Sequence, residues 1–518
     1  MAFSSNNSVY ETKEYQCGVG RTAFIQNIIS DRTAANNFLD TLSGKASQKW
    51  SQFLTVLFVI DGDEEFHQFS PLVREFFHAH NSKYIPFLAF SQKVLISPAQ
   101  AIKTLELEGD EQYVICLSQW FHEEHALNML NKIITEVSPV AIITSNQHGL
   151  SHFHVEQVSK ITEIPHLSFP ATELKFVKWL AHSAIEVYQN WHVPEIRISI
   201  ITATRPKDLH RLLVSLTKSH YLGDRVDLIM NLESIADKDT ISIAHHLSWP
   251  FGKKQIRHRV KKGGLISAVT ESWYPGSFHE YGVILEDDIE VSKFFYVWCR
   301  YNIMYYMYGS PENKEEGMFG VSLYTPRKNE LIAGKPSWNS NVFFEQYTGN
   351  RHSMYIQPLP CSWGAMFFPE IWLTFHHFLM FRLESGMSFD IKGSRTNGWS
   401  ASWKKYFIEM ANTFQLYMVY PNFENQTSFS TNHLGAGEHI KQSGGDDDHL
   451  AIDYTVPLFE DFEIFSQLPG HTLPNVQDFA TLSVLGEILE TSSFLKNRQN
   501  RLNFANIVTN AGEDLHSK

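Results

Sequence analysis

Three consecutive acids, Glu286-Asp287-Asp288, with a fourth at Glu290, end the run Gly282-Val-Ile-Leu-Glu-Asp-Asp-Ile-Glu-Val291. An apolar run without alternation suits a strand covered on both faces, as in a parallel sheet. Carboxylates crowded at its exit repel one another unless a cation lies between them. A hard divalent metal carrying a phosphorylated ligand meets that need, so the motif predicts phosphate chemistry at a sheet edge. The plainer account of the same residues is that the acids cap a following helix.

The elements that would position these acids come in two blocks. From about Trp50 to Pro170, apolar runs alternate with helical stretches: Leu54 to Ile60, Ile85 to Phe90, Tyr113 to Leu117, Val140 to Thr144 and a weaker one from Ile164 to Phe169. This alternation predicts a small α/β domain over 50–192, after an N-terminal segment 1–49. The piece Ser138 to Leu174 faintly resembles the ligand-binding domains of receptors related to periplasmic binding proteins. A helical segment, Thr172 to Trp191, leads to the second block over 193–456. There the strand Ile196 to Ile201 is followed by the polar loop Thr202 to Asp208. An amphipathic stretch comes next, with Leu209, Leu212, Leu213 and Leu216 on one face. A second strand spans Val226 to Leu232 and ends on Glu233. All three strands place polar groups just past their last apolar residue, where open α/β sheets bind ligands. The remainder, 457–518, reads as a peripheral helical tail.

Composition limits the answer without selecting it. At 518 residues, 43% hydrophobic and 14% aromatic, the chain can build two large cores. Its formal charge of -13 argues against a general nucleic-acid binder, which needs a concentrated basic surface. Cys17, Cys116, Cys299 and Cys361 show no CxxC spacing, so neither a disulfide framework nor a cysteine metal site is expected. The start Met-Ala-Phe-Ser-Ser-Asn-Asn has no basic, apolar leader and no apolar stretch is long enough for a bilayer. A cytoplasmic chain without an integral membrane segment is the expectation, the sequons at Asn6 and Asn425 fitting by chance.

Residues 196 to 440, roughly half the chain, resemble glycosyltransferases of the GT-A fold, in particular those like N-acetylglucosaminyltransferase I. The resemblance is carried by "SIITATRPKDLHRLLVSL", "VDLIMNLE", "KKGGLISAVTESWYPGSFHEYGVILEDDIEVSKFF" and "LPCSWGAMFF", in that order. It implies a mixed, mostly parallel sheet flanked by helices that binds a UDP-sugar with Mn2+ or Mg2+, and an acceptor that is a glycan, a protein or a small molecule. Asp288 falls where that family binds the metal, and Glu286 and Asp287 lie against the ribose and the metal's water shell. Arg205 matches a basic residue near the base or phosphates, in the loop that begins at Thr202. Glu233 matches an acid that accepts the uracil N–H. Lys261 and Lys262 with the Gly263-Gly264 turn would offer cations and close backbone N–H groups to the diphosphate, or form only a solvated turn. Read from the residues themselves, His433, leaving a strand near the site with Ser428-Phe-Ser-Thr-Asn432, would complete the metal's shell or contact the diphosphate. Enzymes of this kind commonly sit in the Golgi, which keeps that location open.

The chain departs from the family at the catalytic base. The family carries a carboxylate in a "WDDW"-like segment, whereas this chain reads Trp399-Ser-Ala-Ser-Trp403. Serine holds its proton too tightly near neutral pH to take another unaided. Asp390, Glu384 and Glu370 are the nearby carboxylates. Asp390, in the loop from Ser388 to Ser394, is the expected base, a role that Asp390→Asn tests by losing turnover while keeping donor binding.

Other polar clusters read as ordinary surface. His122-Glu-Glu-His125 lacks the HExxH zinc spacing, and His148, His152 and His154 suit surface or core contacts. Asp446-Asp-Asp-His449 suits a solvated glycine-rich loop. Tryptophans near glycines serve equally as sugar platforms or as core. Two other classes compete with an active transferase. The missing acids allow a catalytically inactive GT-A domain that binds carbohydrate or nucleotide. A nucleotidyltransferase would want glycine straight after the first strand, and Thr202 to Asp208 has none.

Overall fold

The computed structural model describes residues 25–27, 54–79, 84–91, 94–96, 98–106, 116–120, 123–145, 150–349, 354–433, 454–461 and 467–496. The chain divides into two compact units, Met1–His182 and Ser183–Lys518. The division falls ahead of the expected boundary at 192. The expected linking helix is a 3-10 run, Ala171–His182, in the first unit and a short helix, Ile185–Gln189, in the second.

In the first unit six strands form one sheet: β1 (Ile25–Asn27), β2 (Leu54–Ile60), β3 (Tyr84–Ser91), β4 (Cys116–Trp120), β5 (Ala141–Ser145) and β6 (His166–Phe169). Their order is β1-β4-β3-β2-β5-β6, and every pairing is parallel. The unalternating runs become strands because both faces are covered. On one face the helix Asp63–His78 buries Phe66, Phe69, Leu72, Val73 and Phe76 at helical spacing. Mixed α/β architecture with a parallel sheet is therefore what the sequence pattern produces here.

The second unit is built on a ten-stranded mixed sheet, ordered β18-β17-β13-β15-β12-β14-β10-β7-β8-β9. Its members are β7 (Glu195–Thr202), β8 (Leu228–Leu232), β9 (Lys254–His258), β10 (Glu280–Glu286), β12 (Met318–Ser322), β13 (Met354–Gln357), β14 (Ala365–Phe367), β15 (Tyr417–Pro421), β17 (Ala480–Leu482) and β18 (Ile488–Leu489). The strands β10, β7, β8 and β9 run parallel, and β14 enters antiparallel between β10 and β12. The helix Pro206–Thr217 buries Leu209, Leu212, Leu213 and Leu216, the face read from the sequence. Strand β9, Lys-Gln-Ile-Arg-His, carries no apolar run because it is the sheet's edge and stays largely exposed.

One rival reading and one expectation fall. The strand ends in the acid triplet as expected, β10 stopping at Glu286, but no helix follows: Asp287 and Asp288 form a turn, and β11 (Ile289–Val291) comes next. Strand β11 pairs antiparallel with β16 (Ser430–Asn432) in a separate two-stranded sheet, so the acids cap no helix. The described residues after Pro457 do not form a peripheral helical tail either. They add β17 to the edge of β13 and β18 beyond it, and bury Phe459, Leu473, Phe479 and Leu482.

Strand β10 is held against Trp273, a fully buried indole whose Nε1 donates to Glu280 Oε1 at 2.9 Å. A Cβ on Gly282 would stand 2.3 Å from Trp273 Cδ2. Since neither the ring nor the strand can withdraw, Gly282→Ala is expected to cost about 1–3 kcal/mol of unfolding free energy. Denaturant melts of the two proteins measure it, and equal midpoints would refute it.

Candidate functional site

The chain goes from β7 to β8 to β9 on one side, then crosses to place β10 on the other side of β7. That reversal is a topological switch point, and the carboxyl ends of β7 and β10 face one another across it. Thr202 closes β7, and its Oγ1 donates to Asp287 Oδ2 at 2.8 Å. Arg205 stands three residues on, at the start of the helix Pro206–Thr217. Its Nη1 donates to Asp288 Oδ2 at 2.8 Å, and its Nη2 makes an ion pair with Asp287 Oδ1. The cation that the acid triplet requires is therefore, in this structure, a guanidinium.

The protonation behaviour follows from burial and crowding. Burial pushes Asp287 up to about 6, against the pull of Arg205 and the Thr202 hydroxyl. Burial, with Asp288 beside it, pushes Glu286 up to about 8, while Arg205 and the more distant Lys404 pull the other way. Burial alone would lower Arg205; Asp288, Asp287 and Glu286 outweigh it and hold the guanidinium charged. Near pH 7 the site thus carries Arg205 as a cation, Asp287 mostly ionised and Glu286 mostly protonated.

A pH dependence of stability follows. A carboxyl whose folded-state pKa is raised contributes stability in full below its unfolded value, and loses it as pH climbs through the folded value. Glu286 gives that window as about pH 4.5 to 8. Glu286→Gln, which mimics the neutral acid, is expected to come close to the parent at pH 5 and to exceed it at pH 9 by about 4 kcal/mol. Unfolding free energies at the two pH values check this, and a difference independent of pH would contradict it.

The remaining expected site residues separate into those near the strand ends and those apart. Glu233 follows β8: its Oε1 accepts from Ser234 N at 2.7 Å and its Oε2 from Gly263 N at 3.3 Å, so it holds the glycine turn. Gly264 begins the short helix Gly264–Thr270 with φ +72°, and Lys261 and Lys262 are exposed beside it. The His433 backbone N–H donates to Asp288 O at 3.0 Å, which ties it to the triplet. Its ring, however, sits 2.7 Å from Glu290 Oε2. Asp390 is exposed, its Oδ1 accepting from Ser388 Oγ at 2.6 Å, and Glu370 and Glu384 are exposed on the helix Pro369–Ser385.

Among the described residues no group of three or more His, Cys, Asp or Glu side chains could hold a metal ion. The strand end offers two carboxylates, Asp287 and Asp288. Mg2+-like ions are commonly held by one or two carboxylates, with water and substrate phosphates completing the shell. Both acids are engaged by Arg205, so an ion there would compete with the guanidinium for them.

A recess that no motif announced lies in the same unit, over β13, β15 and β17. It is a shallow, open depression lined by Glu330, Trp338, Tyr355, Gln357, Leu359, Trp363, Lys404, Tyr420 and Leu482 among others. Glu330 and Trp338 come from a small hairpin bridged at Lys328 and Ser337. Glu330 forms an ion pair with Lys404, which is buried, and Lys404 Nζ lies 5.4 Å from the centre of the Trp363 ring. The signal in the sequence was limited to Trp363, inside "LPCSWGAMFF". Glu330 stands in no motif, and Lys404 lies just past the Trp399–Trp403 segment. Of that segment, Trp403 is core, packed on Phe367, Trp372 and Phe407.

In the first unit His152 makes core contacts, its Nδ1 lying 3.2 Å from Thr144 Oγ1 and 3.3 Å from Ser168 Oγ. Asn6, Cys17, His122, His148 and the acids and histidine at 446–449 lie outside the described residues. No helix among the described residues is long and apolar enough to cross a membrane.

A protein-family profile described as "SPBC1E8.03c C-terminal domain" matches residues 207–387, the stretch that holds the acid triplet and Trp363. No curated protein matches the chain. Solved structures with partial likeness include S. aureus MnaA with UDP (TM-score 0.19, 10% identity, 45% of this chain and 74% of that one). Another is a putative UDP-N-acetylglucosamine 2-epimerase from Listeria monocytogenes (TM-score 0.19, 9% identity, 40% and 69%). A third is the UDP-GlcNAc 2-epimerase from Neisseria meningitidis bound to UDP-GlcNAc (TM-score 0.18, 9% identity, 40% and 72%). Scores this low fall well short of a shared fold.

Proposed function

We propose that the Ser183–Lys518 unit is a GT-A-type glycosyltransferase that moves a hexosyl or N-acetylhexosaminyl group from a nucleotide sugar, UDP-sugar first, to an acceptor hydroxyl with inversion. The observation that carries this reading is the meeting of Arg205, Thr202, Asp287 and Asp288 across the switch point of a parallel sheet. The ordered motifs that resemble N-acetylglucosaminyltransferase I supply those same residues.

The roles follow from chemistry. Arg205 presents forked donors that carboxylates hold in place and that diphosphate oxygens suit equally well. Glu286 closes β10 beside the same turn, where burial raises its pKa. Glu233 and the Gly263-Gly264 turn, held together by a hydrogen bond, flank the place for the base and phosphates. Asp288 with Asp287 would hold Mn2+ or Mg2+, which supplies Lewis-acid stabilisation of the departing diphosphate. The acceptor is a glycan, a protein or a small molecule bearing a free hydroxyl.

The deciding assay measures UDP release from a panel of UDP-sugars with Mn2+ or Mg2+ present. Release is expected from at least one donor, and Asp288→Ala abolishes it. Tight UDP binding without turnover on any donor would sink the enzymatic reading. It would favour the second, a nucleotide- or carbohydrate-binding module without catalysis. One observation favours that alternative: Ser402, which stands where the family carries an acid, is buried at the start of the helix Trp403–Phe414.

A further inference from the structure

We infer that the recess beside the acid triplet is an acceptor subsite for a sugar ring, and that Glu330 is the carboxylate that takes the acceptor's proton. This rests on the transferase reading above and supplies the base that its sequence lacks.

Placement comes first. Strand β14 pairs antiparallel with β10 through Gly282 and Phe367, Val283 and Met366, and Ile284 and Ala365. Strand β14 begins at Ala365, and Trp363 precedes it by two residues, at the end of β14 that lies beside the carboxyl end of β10. Lys404, in the lining of the recess, acts electrostatically on the Glu286 carboxyl. Gly364 makes the approach feasible: its φ is +96°, and a Cβ there would meet Ser430 Oγ at 2.9 Å and Leu285 Cδ2 at 3.4 Å. Ser430 Oγ also donates to Trp363 O at 2.6 Å, which fastens the tryptophan to the strand that pairs with β11.

The lining then indicates the ligand class. Trp338 and Trp363, each half-buried, line the recess, Trp338 packed on Phe343 and Trp363 on Tyr324 and Tyr454, so only their remaining indole surface is left for the C–H face of a sugar. The same lining carries a carboxylate and an ammonium, Glu330 and Lys404, the latter over the Trp363 ring. The fully buried Tyr355 hydroxyl meets no group at full hydrogen-bond geometry among the described residues, the Trp338 indole being a weak neighbour. An apolar ligand would leave these groups unanswered, at the cost that buried polar atoms incur. A ring bearing several hydroxyls answers both the aromatic and the polar walls.

The carboxylate is also fixed in position. Arg395 Nη1 donates to Glu330 O at 2.8 Å, and Lys404 holds the side chain from the opposite side. Asp390, the base expected from the sequence, is exposed and does not line the recess. In the step we assign, a lone pair of the acceptor oxygen forms the bond to the anomeric carbon. The bond from that carbon to the diphosphate oxygen breaks, its electron pair leaving with the diphosphate. The acceptor's hydroxyl proton passes to the Glu330 carboxylate, which returns it to water after the product departs.

The test titrates tryptophan fluorescence with a panel of methyl glycosides, with and without UDP, then assays transfer from the donor panel to whichever glycoside binds. Trp338→Ala should weaken glycoside binding at least tenfold and leave UDP affinity unchanged. Glu330→Gln should keep both affinities within about threefold and cut transfer at least about a hundredfold, the scale of a lost general base. Glu330→Asp, which keeps the charge and its pair with Lys404, should restore part of the rate. Asp390→Asn should transfer within about threefold of the parent. A Glu330→Gln enzyme that transfers normally, or an Asp390→Asn enzyme that does not, overturns the assignment of the base. A panel without a binder, or affinity indifferent to Trp338→Ala, overturns the subsite. Failure of the parent to bind UDP would instead overturn the transferase reading, and the glycoside titration still decides the recess.

Discussion

Arg205→Ala is expected to lower the unfolding free energy by about 3 kcal/mol at pH 8, the lower end of what breaking a buried ion pair costs. Asp287 is almost wholly buried and Asp288 nearly so, and the guanidinium touches both. Without it, two carboxylates face each other in a desolvated turn beside Glu286. They can escape only by taking protons, and Asp287 and Glu286 already sit at about 6 and about 8 with Arg205 in place. Both therefore rise further in the variant. Because raised folded-state values remove stability as pH increases, the deficit should shrink towards pH 5 and grow towards pH 9. Arg205→Lys keeps one charge but loses the fork that spans the two acids, so it should recover less than half of the loss. Denaturant melts at the three pH values test the electrostatics. Isothermal titration with UDP tests the ligand role, where affinity should fall more than tenfold in Arg205→Ala. Unchanged UDP affinity in a destabilised variant would reduce Arg205 to a structural clamp.

Ending the chain at Pro457 should prevent the second unit from folding. The removed segment buries Phe459, Leu468, Leu473, Val476, Phe479, Leu482, Val484 and Phe494. At about 1.5–3 kcal/mol for each large apolar side chain, that burial approaches or exceeds the whole stability of an ordinary domain, about 5–15 kcal/mol. The truncation would also bare the edge of β13, an invitation to strand pairing between molecules. Size-exclusion chromatography and a thermal melt provide the check: aggregate, or loss of a cooperative transition, is expected. A monomer melting within a few degrees of the parent would restore the segment to the periphery.

That truncation marks where sequence reading reached its limit. Strands β17 and β18 are three and two residues long. Pieces so short carry no periodicity, and they are strands only because β13 offers β17 an edge and β17 in turn offers one to β18. Edge strand β9 escaped notice for a related reason, since its exposed residues form no apolar run. By contrast β2, β3, β5, β7 and β10 were legible because strands buried on both faces must be apolar at consecutive positions. In the site, Thr202, Arg205 and the acid triplet were legible as polar residues directly past such strands, and the structure brings them together. Glu233 was chosen on the same signal, and in the structure it accepts from the glycine turn. Asp390 was chosen for proximity in sequence to a segment that had lost its acids, and sequence proximity says nothing about what faces a recess.

The acid triplet stated a need by itself: adjacent carboxylates at a buried strand end require positive charge, whatever the rest of the chain does. Local composition can set such a requirement because repulsion between neighbours is local. Which group answers it was decided by the tertiary structure. The crossover from β9 back to β10 sets Arg205 against acids more than eighty residues away. The β10–β14 pairing then brings the segment that carries Trp363 to the carboxyl end of β10, and Lys404, paired with Glu330, lies over the Trp363 ring. Strand order and register depend on how whole runs of side chains pack, and no short motif contains that information.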